Sequence, residues 1–232
     1  MTIKIYEHIE QGTEEWHEVR RGVITASKVG AMLTATGKIA NNATSRRAVL
    51  ELASERLSGF TEETATTYAM RRGHDDEELA IEIYSEKVAP VRRVGFVTND
   101  EYGLLIGCSP DGLVGEDGGV ECKSRLHAIQ LQTIIDGVVP DEFKVQIQFS
   151  MLVLNRPWWD FISAPAFGGS KIMLIKTEPD LSMKSLLIDA AHECERRVKE
   201  AIAEYQNRIA DGSLRFLDMP RREPEISDVV RL

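Results

Sequence analysis

Apolar residues recur at helical spacing near both ends of the chain. Residues 45–57 place four apolar side chains on one face, the pattern of a helix that packs on a core. Residues 182–210 repeat an apolar residue every three or four positions and predict a long C-terminal helix, which Gly212 ends. Capping residues, glycine stops and apolar content predict further helices at 13–20, 27–33, 66–88, 127–136 and 141–155.

For three of these helices the sequence predicts more than a range. Thr13 is expected to cap the first helix, and Thr25 or Ser27 the second, because both residue types can accept a hydrogen bond from a backbone N–H at a helix start. A break is expected near Gly73 in helix 66–88, whose apolar positions are irregular.

Runs rich in β-branched and apolar residues in the middle of the chain predict a sheet. The expected strands are 91–98, 104–108, 113–114, 119–124, 158–163 and 171–177. The run Glu116-Asp117-Gly118-Gly119 has the residue types of a tight reversal, so segments 113–114 and 119–124 should form a hairpin. Helices on both sides of such a sheet in sequence indicate an α/β fold.

The predicted hairpin carries the candidate chemistry. It sets Asp111 across from Glu121 and Lys123, which point to one side of the strand while Cys122 points to the other. Mg²⁺ prefers oxygen ligands, which Asp111, Glu121 and the Cys122 carbonyl supply. Lys123 can hold the attacking water or offset phosphate charge. On these residues alone, a solvent-exposed hairpin is the commoner explanation.

Five short motifs in fixed order favour the catalytic interpretation: GVITAS (22–27), GHDDE (73–77), SPDG (109–112), ECK (121–123) and QIQFSM (146–151). Together they resemble the bacteriophage lambda exonuclease family of viral recombination nucleases, over residues 16–151. Phe143 and Phe149 depart from it, since the family has tyrosines there. The resemblance implies a restriction-endonuclease-like core, in which a mixed central sheet is flanked by helices.

The resemblance also implies roles for residues outside the hairpin. Glu77 would be a further acidic metal ligand, and Gln146 would lie at the rim of the active site. Arg20, Ser27 and Ser109 would cradle a 5′-terminal phosphate, because a guanidinium and hydroxyl groups suit that anion. Without the resemblance, Glu77 and Gln146 are equally explained as surface residues, and Ser27 as the cap of its helix. His74 is expected at the surface.

A nuclease function follows from the resemblance. It implies a Mg²⁺-dependent 5′→3′ exonuclease that acts on double-stranded DNA ends, releases mononucleotides and leaves a 3′ single-stranded tail. It further implies two Mg²⁺ ions per site with Mn²⁺ as a substitute, a homotrimer ring, and a single-strand annealing protein as partner. Two alternatives stay open: an endonuclease with the same core, and a recombination scaffold without catalysis.

Composition limits these interpretations. The 232 residues contain no linker, so one nuclease domain is expected over 1–232, with a helical N-terminal part at 13–88. The net charge of −9 argues against a nucleic-acid partner, but basic residues are paired at 20–21, 46–47, 71–72 and 92–93.

The rest of the composition bears on location and redox chemistry. The start of the chain is too polar for a signal peptide and no apolar run could span a membrane, so the cytoplasm of a bacterial host cell is the expected location. Three cysteines without a Cys-x-x-Cys pair suggest core thiols and no zinc site. The charged tail 220–232 should be extended.

Overall fold

Two mixed sheets and seven helices make up the computed structural model, which describes residues 2–62 and 67–220. The helices are α1 (Glu14–Arg20), α2 (Ala26–Ala31), α3 (Ala43–Ser58), α4 (Tyr68–Lys87), α5 (His127–Asp136), α6 (Asp141–Leu154) and α7 (Leu181–Ala210). The strands are β1 (Ile3–Tyr6), β2 (Ile24–Thr25), β3 (Val91–Arg92), β4 (Phe96–Asn99), β5 (Ile106–Cys108), β6 (Gly112–Val114), β7 (Gly118–Arg125), β8 (Trp158–Pro165) and β9 (Met173–Thr177).

One sheet has the strand order β1-β4-β5-β2 and the other β3-β6-β7-β8-β9. Neighbours are antiparallel except in the pairs β2–β5 and β7–β8, which are parallel. Helix α6 contacts strands of both sheets, and every residue from Ile147 to Leu154 is buried. The main core therefore lies around α6, which packs against β4, β5 and β8 and reaches β7 through Gln146.

Local signals account for the helix boundaries. Thr13 caps α1 by accepting from the N–H of Trp16, as predicted. Asn42 and Ser45 form a reciprocal capping box at the start of α3, which ends at Gly59 in the left-handed conformation. Asp180 accepts from two backbone N–H groups at the start of α7. The predicted helices are thus confirmed to within a few residues wherever the structure describes them.

The sheet differs from the prediction in three ways. The expected strand 91–98 is two strands, β3 and β4, which belong to different sheets. The chain passes between them at Gly95, where a Cβ would lie 2.2 Å from the carbonyl oxygen of Ile9. Segments 104–108 and 113–114 likewise fall in different sheets, so there are two mixed sheets and not a single central one. Strands β1 and β2 were not predicted, because they have only four and two residues.

The more specific predictions for α4 and α2 have different outcomes. Helix α4 is continuous through Gly73, because a glycine keeps its backbone hydrogen bonds and costs only about 1 kcal/mol relative to alanine. Of the two residues expected to cap α2, Thr25 occupies the cap position and Ser27 is the second residue inside the helix. The Thr25 hydroxyl bonds the Ser27 hydroxyl at 3.2 Å and not a backbone N–H of the helix.

Other expectations concern the cysteines, the membrane and the tail. All three cysteines are free and buried, as predicted. In the described ranges 2–62 and 67–220, no helix has both the length and the apolar content needed to cross a membrane. The predicted helix start at residue 66 and the tail from 221 onward lie outside these ranges.

Candidate active site

The hairpin of β6 and β7 positions the first carboxylate. Gly112 pairs with Val120, so Asp111 lies one step further along, where its Oδ2 accepts from the N–H of Cys122 at 2.7 Å. A Cβ on Gly112 would lie 2.1 Å from Cγ1 of Val91, so only glycine allows β3 and β6 to approach this closely. The predicted juxtaposition of Asp111 with the 121–123 segment is present.

Two arginines that sequence reasoning missed hold this hairpin. Arg156, only 7% exposed, donates to the carbonyl oxygens of Gly115 and Gly118 at the turn. Arg93 donates to the carbonyl oxygen of Asp111 and to the carboxylate of Glu78 on α4. Neither interaction has a local sequence signal, because the partners are 15 to 41 residues away along the chain.

The ammonium group of Lys123 lies among three carboxylates. Its Nζ is 2.7 Å from Oε1 of Glu121, 3.8 Å from Oε1 of Glu77 and 3.9 Å from Oδ2 of Asp111. It also donates to the carbonyl oxygen of Cys122 at 2.8 Å. The structure therefore brings together the residues that the sequence nominated, and their catalytic roles stay predictions.

Glu121 is the buried member of this group. Its side chain is 0% exposed; Oε1 accepts from Nε2 of Gln146 at 2.6 Å, whereas Oε2 has no hydrogen-bond partner. Burial, and then the charge of Asp111, raises the pKa of Glu121 to about 8. Burial alone would lower the pKa of Lys123, but the surrounding carboxylates, Glu121 foremost, raise it above its ordinary value.

Glu77 reaches the site from α4. Its Oε1 accepts from the N–H of Ser124 at 3.3 Å, and burial raises its pKa above the ordinary value. The neighbouring Asp76 accepts from the Ser124 hydroxyl at 2.7 Å and from the N–H of Phe167 at 3.2 Å, which ties α4 to β7. Sequence reasoning missed Asp76 because four acids are adjacent there, while His74 is exposed as expected.

The donor set fits a hard cation such as Mg²⁺. Carboxylates of Asp111, Glu121 and Glu77 and the carbonyl of Cys122 are all oxygen donors, and the buried, unpartnered Oε2 of Glu121 lacks the partner that a cation would provide. Across the described residues, no three or more His, Cys, Asp or Glu side chains are arranged so that they could hold a metal ion by themselves. The ammonium of Lys123 lies within 4 Å of all three carboxylates.

A cavity of about 750 Å³ opens between α1, α2 and α3. Its lining includes Trp16, Arg20, Ser27, Lys28, Arg46 and Arg47. The Arg20 guanidinium stacks on the ring of Trp16 at 4.5 Å and donates to Oγ of Ser109 at 3.4 Å. Trp16 also donates to Ser109, at 3.0 Å.

The residues nominated for phosphate binding thus share one region. Ser27 is exposed and lines the same cavity as Arg20, and Ser109 contacts Arg20 from the hairpin side. Burial lowers the pKa of Arg20 from its ordinary value. Trp16 was missed, although its spacing of four residues from Arg20 on one helix is a recognisable signal. Arg21, the other member of the basic pair 20–21, also lines the cavity and lies 3.8 Å from Glu14.

Comparison with known proteins supports this description of the fold. The chain has no significant match among curated protein sequences. It is similar to the solved alkaline exonuclease LHK-Exo of Laribacter hongkongensis, alone and in complex with dAMP, at 28% identity, with TM-scores of 0.75 and 0.76. Both alignments cover 86% of this chain and 99% of the other. The predicted fold class, a restriction-endonuclease-like α/β core, is confirmed by this match.

A second solved structure and a family profile complete the comparison. A phage related exonuclease from Haemophilus somnus 129PT shares the fold, with 13% identity, a TM-score of 0.54 and coverage of 82% of this chain and 99% of the other. Residues 15–157 match the profile of the YqaJ-like viral recombinase domain, and this range contains the hairpin, Glu77, Gln146 and the cavity residues Trp16 and Arg20. The chain therefore belongs to the YqaJ-like viral recombinases, the lambda exonuclease family that its motifs resemble.

Proposed function

We propose that this protein is a Mg²⁺-dependent 5′→3′ exonuclease that degrades one strand of double-stranded DNA from its end. The products would be mononucleotides and a duplex with a 3′ single-stranded tail for phage-type recombination. One observation carries the proposal: the carboxylates of Asp111, Glu121 and Glu77 converge on the ammonium of Lys123. Family membership and the alkaline exonuclease relatives support a phage-type exonuclease.

Each side chain has a distinct task in this proposal. Asp111, Glu121, Glu77 and the Cys122 carbonyl would hold one or two Mg²⁺ ions, which Mn²⁺ could replace. Bound metal would supply Lewis acidity at the scissile phosphate and lower the pKa of the attacking water. Lys123 orients that water and offsets phosphate charge, and Gln146 fixes the carboxylate of Glu121 by donating to it.

The cavity lined by Arg20, which Ser109 links to the hairpin, would bind the end of the strand. Arg20 is fixed by stacking on Trp16 and by its bond to Ser109, so its remaining N–H groups can meet a 5′-terminal phosphate with little loss of side-chain entropy. Ser27 and Ser109 add hydroxyl donors. LHK-Exo has been solved with dAMP, a nucleoside monophosphate of the class that we propose as product.

Assembly and partnership follow the family resemblance. We propose a homotrimer ring around the duplex and cooperation with a single-strand annealing protein. A closed ring would favour processive degradation, because the protein could leave only at a DNA end.

The decisive experiment compares linear and covalently closed duplex DNA, with and without Mg²⁺. We expect degradation of the linear duplex only, only with Mg²⁺, and from 5′ ends. The Asp111→Ala variant should be inactive with its fold and oligomeric state retained. Cleavage of closed circles would indicate an endonuclease instead, and binding without any cleavage would indicate a scaffold.

A further inference from the structure

Arg125 shares a strand face with the catalytic residues but has no role in the site described so far. Side chains alternate along β7, so Glu121, Lys123 and Arg125 point to the same side. The Arg125 side chain is 14% exposed, and its Nε is buried without a hydrogen-bond partner. Its guanidinium lies over the ring of Phe143 at 5.0 Å, and Phe143 stacks on Phe161 at 5.5 Å.

Two elements independently place Arg125 at one end of the site. Along β7, it lies four residues beyond Glu121, roughly 13 Å at about 3.3 Å per residue. Helix α6 passes the same region in the reverse direction. Near its C-terminal end the carbonyl of Val153 accepts from the side chain of Asn99 on β4, which pairs with β5 just ahead of Ser109. Towards its start, Gln146 bonds Glu121 and Phe143 lies beneath Arg125. Strand β7 therefore gives the order of the carboxylates and then Arg125, and α6 places the corner with Ser109 at the opposite end.

We propose that Arg125 binds the second phosphodiester of the strand being degraded, one nucleotide beyond the scissile bond on the 3′ side. This inference rests on the proposed exonuclease function. A strand whose 5′ phosphate lies at Arg20 and whose first phosphodiester lies at Lys123 must continue towards the other end of the site. The planar guanidinium, already stacked and with its Nε unpaired, matches a phosphate in charge and shape.

In the free protein, Glu142 pairs with the guanidinium group that the phosphate would bind. It accepts from Nη1 of Arg125, but its own side chain is 59% exposed. Exposed ion pairs contribute little to stability, so this one opens readily when DNA competes for the guanidinium. Removing the Glu142 charge should therefore strengthen DNA binding, whereas removing the Arg125 charge should weaken it. An ion pair with a purely structural role predicts instead that both changes act in the same direction.

The first test is the salt dependence of binding to a 5′-phosphorylated duplex in EDTA, followed by fluorescence anisotropy between about 50 and 200 mM salt. Arg125→Gln should bind roughly ten- to a hundredfold more weakly and reduce the slope of log K against log[salt] by about 0.9. Glu142→Gln should bind more tightly than wild type. Arg208→Gln on α7, which loses the same charge, should leave the slope unchanged.

The second test changes the substrate, so its wild-type measurement does not depend on how well a variant folds. A neutral methylphosphonate at the second phosphodiester should slow degradation by the wild type about ten- to a hundredfold, and should add little to the defect of Arg125→Gln. Equal additional losses in both proteins, or parallel effects of Arg125→Gln and Glu142→Gln on binding, would overturn the assignment of Arg125. Failure of the wild type to degrade linear DNA at all would instead refute the proposed function.

Discussion

Replacing Glu121 by glutamine should inactivate the protein and at the same time stabilise its metal-free form at alkaline pH. The carboxylate is 0% exposed, and Oε2 has no partner. Glutamine has nearly the same shape and can still pair with Gln146 or Lys123, but it carries no charge that burial opposes.

The magnitude follows from the pKa of this carboxyl, which rises from 4.5 to about 8 on folding. Between these values the folded protein binds more protons than the unfolded chain, so stability falls as pH rises. The contribution is fully present below pH 4.5 and is lost as pH rises through about 8. At 1.36 kcal/mol per pKa unit the upper bound is about 5 kcal/mol. Water that enters the cleft when Glu121 ionises reduces this, and we expect about 2 to 4 kcal/mol.

The assay is urea unfolding of both proteins in EDTA at intervals between pH 5 and 9. The free energy of unfolding of Glu121→Gln minus that of the wild type should be near zero at the acid end and should grow towards pH 8. Adding Mg²⁺ should reverse the order, because a ligand that binds only the folded wild type raises its stability.

Two results would refute this reasoning. A difference that stays constant with pH would mean that burial does not disfavour the charged form of Glu121. Equal stabilisation of both proteins by Mg²⁺ would mean that this carboxylate does not hold the metal.

Three further predictions concern turnover and end recognition. Lys123→Ala should still bind duplex DNA but turn over about 10²- to 10⁴-fold more slowly, the range typical of a group that moves or positions protons. Measuring the single-turnover rate and the DNA affinity of the variant separately would show this. Gln146→Ala should lower metal affinity or rate about 10- to 100-fold, because it removes the donor that fixes Glu121, and a Mg²⁺ titration of activity measures this. Arg20→Ala should reduce the preference for 5′-phosphorylated over hydroxyl ends by about ten- to a hundredfold, whereas Arg196→Ala should not, because Arg196 is exposed on α7 and pairs with Glu193 of the same helix. Equal initial rates of the wild type on both kinds of end would contradict the phosphate-binding role of Arg20.

Local chemistry explains which parts of the fold were predictable. The apolar stripes of α3 and α7 repeat at helical spacing, and the Asp-Gly run of the turn specifies a hairpin, so these elements follow from neighbouring residues alone. The same rules cannot tell that residues 91–98 divide between two sheets, because the β-branched content is the same in either case. Gly73 was interpreted as a break for a similar reason, since its cost is small enough for the rest of α4 to outweigh it.

The sequence by itself determined the residue types of the site and the hairpin that sets Asp111 against Glu121 and Lys123. Only the tertiary structure decided that Glu77 and not its neighbours faces the lysine, that Glu121 is fully buried, and that Arg125 extends the line of the site. The reason is physical: a turn fixes geometry within about ten residues, whereas the register of α4 and α6 against β7 depends on core packing between segments 25 to 48 residues apart.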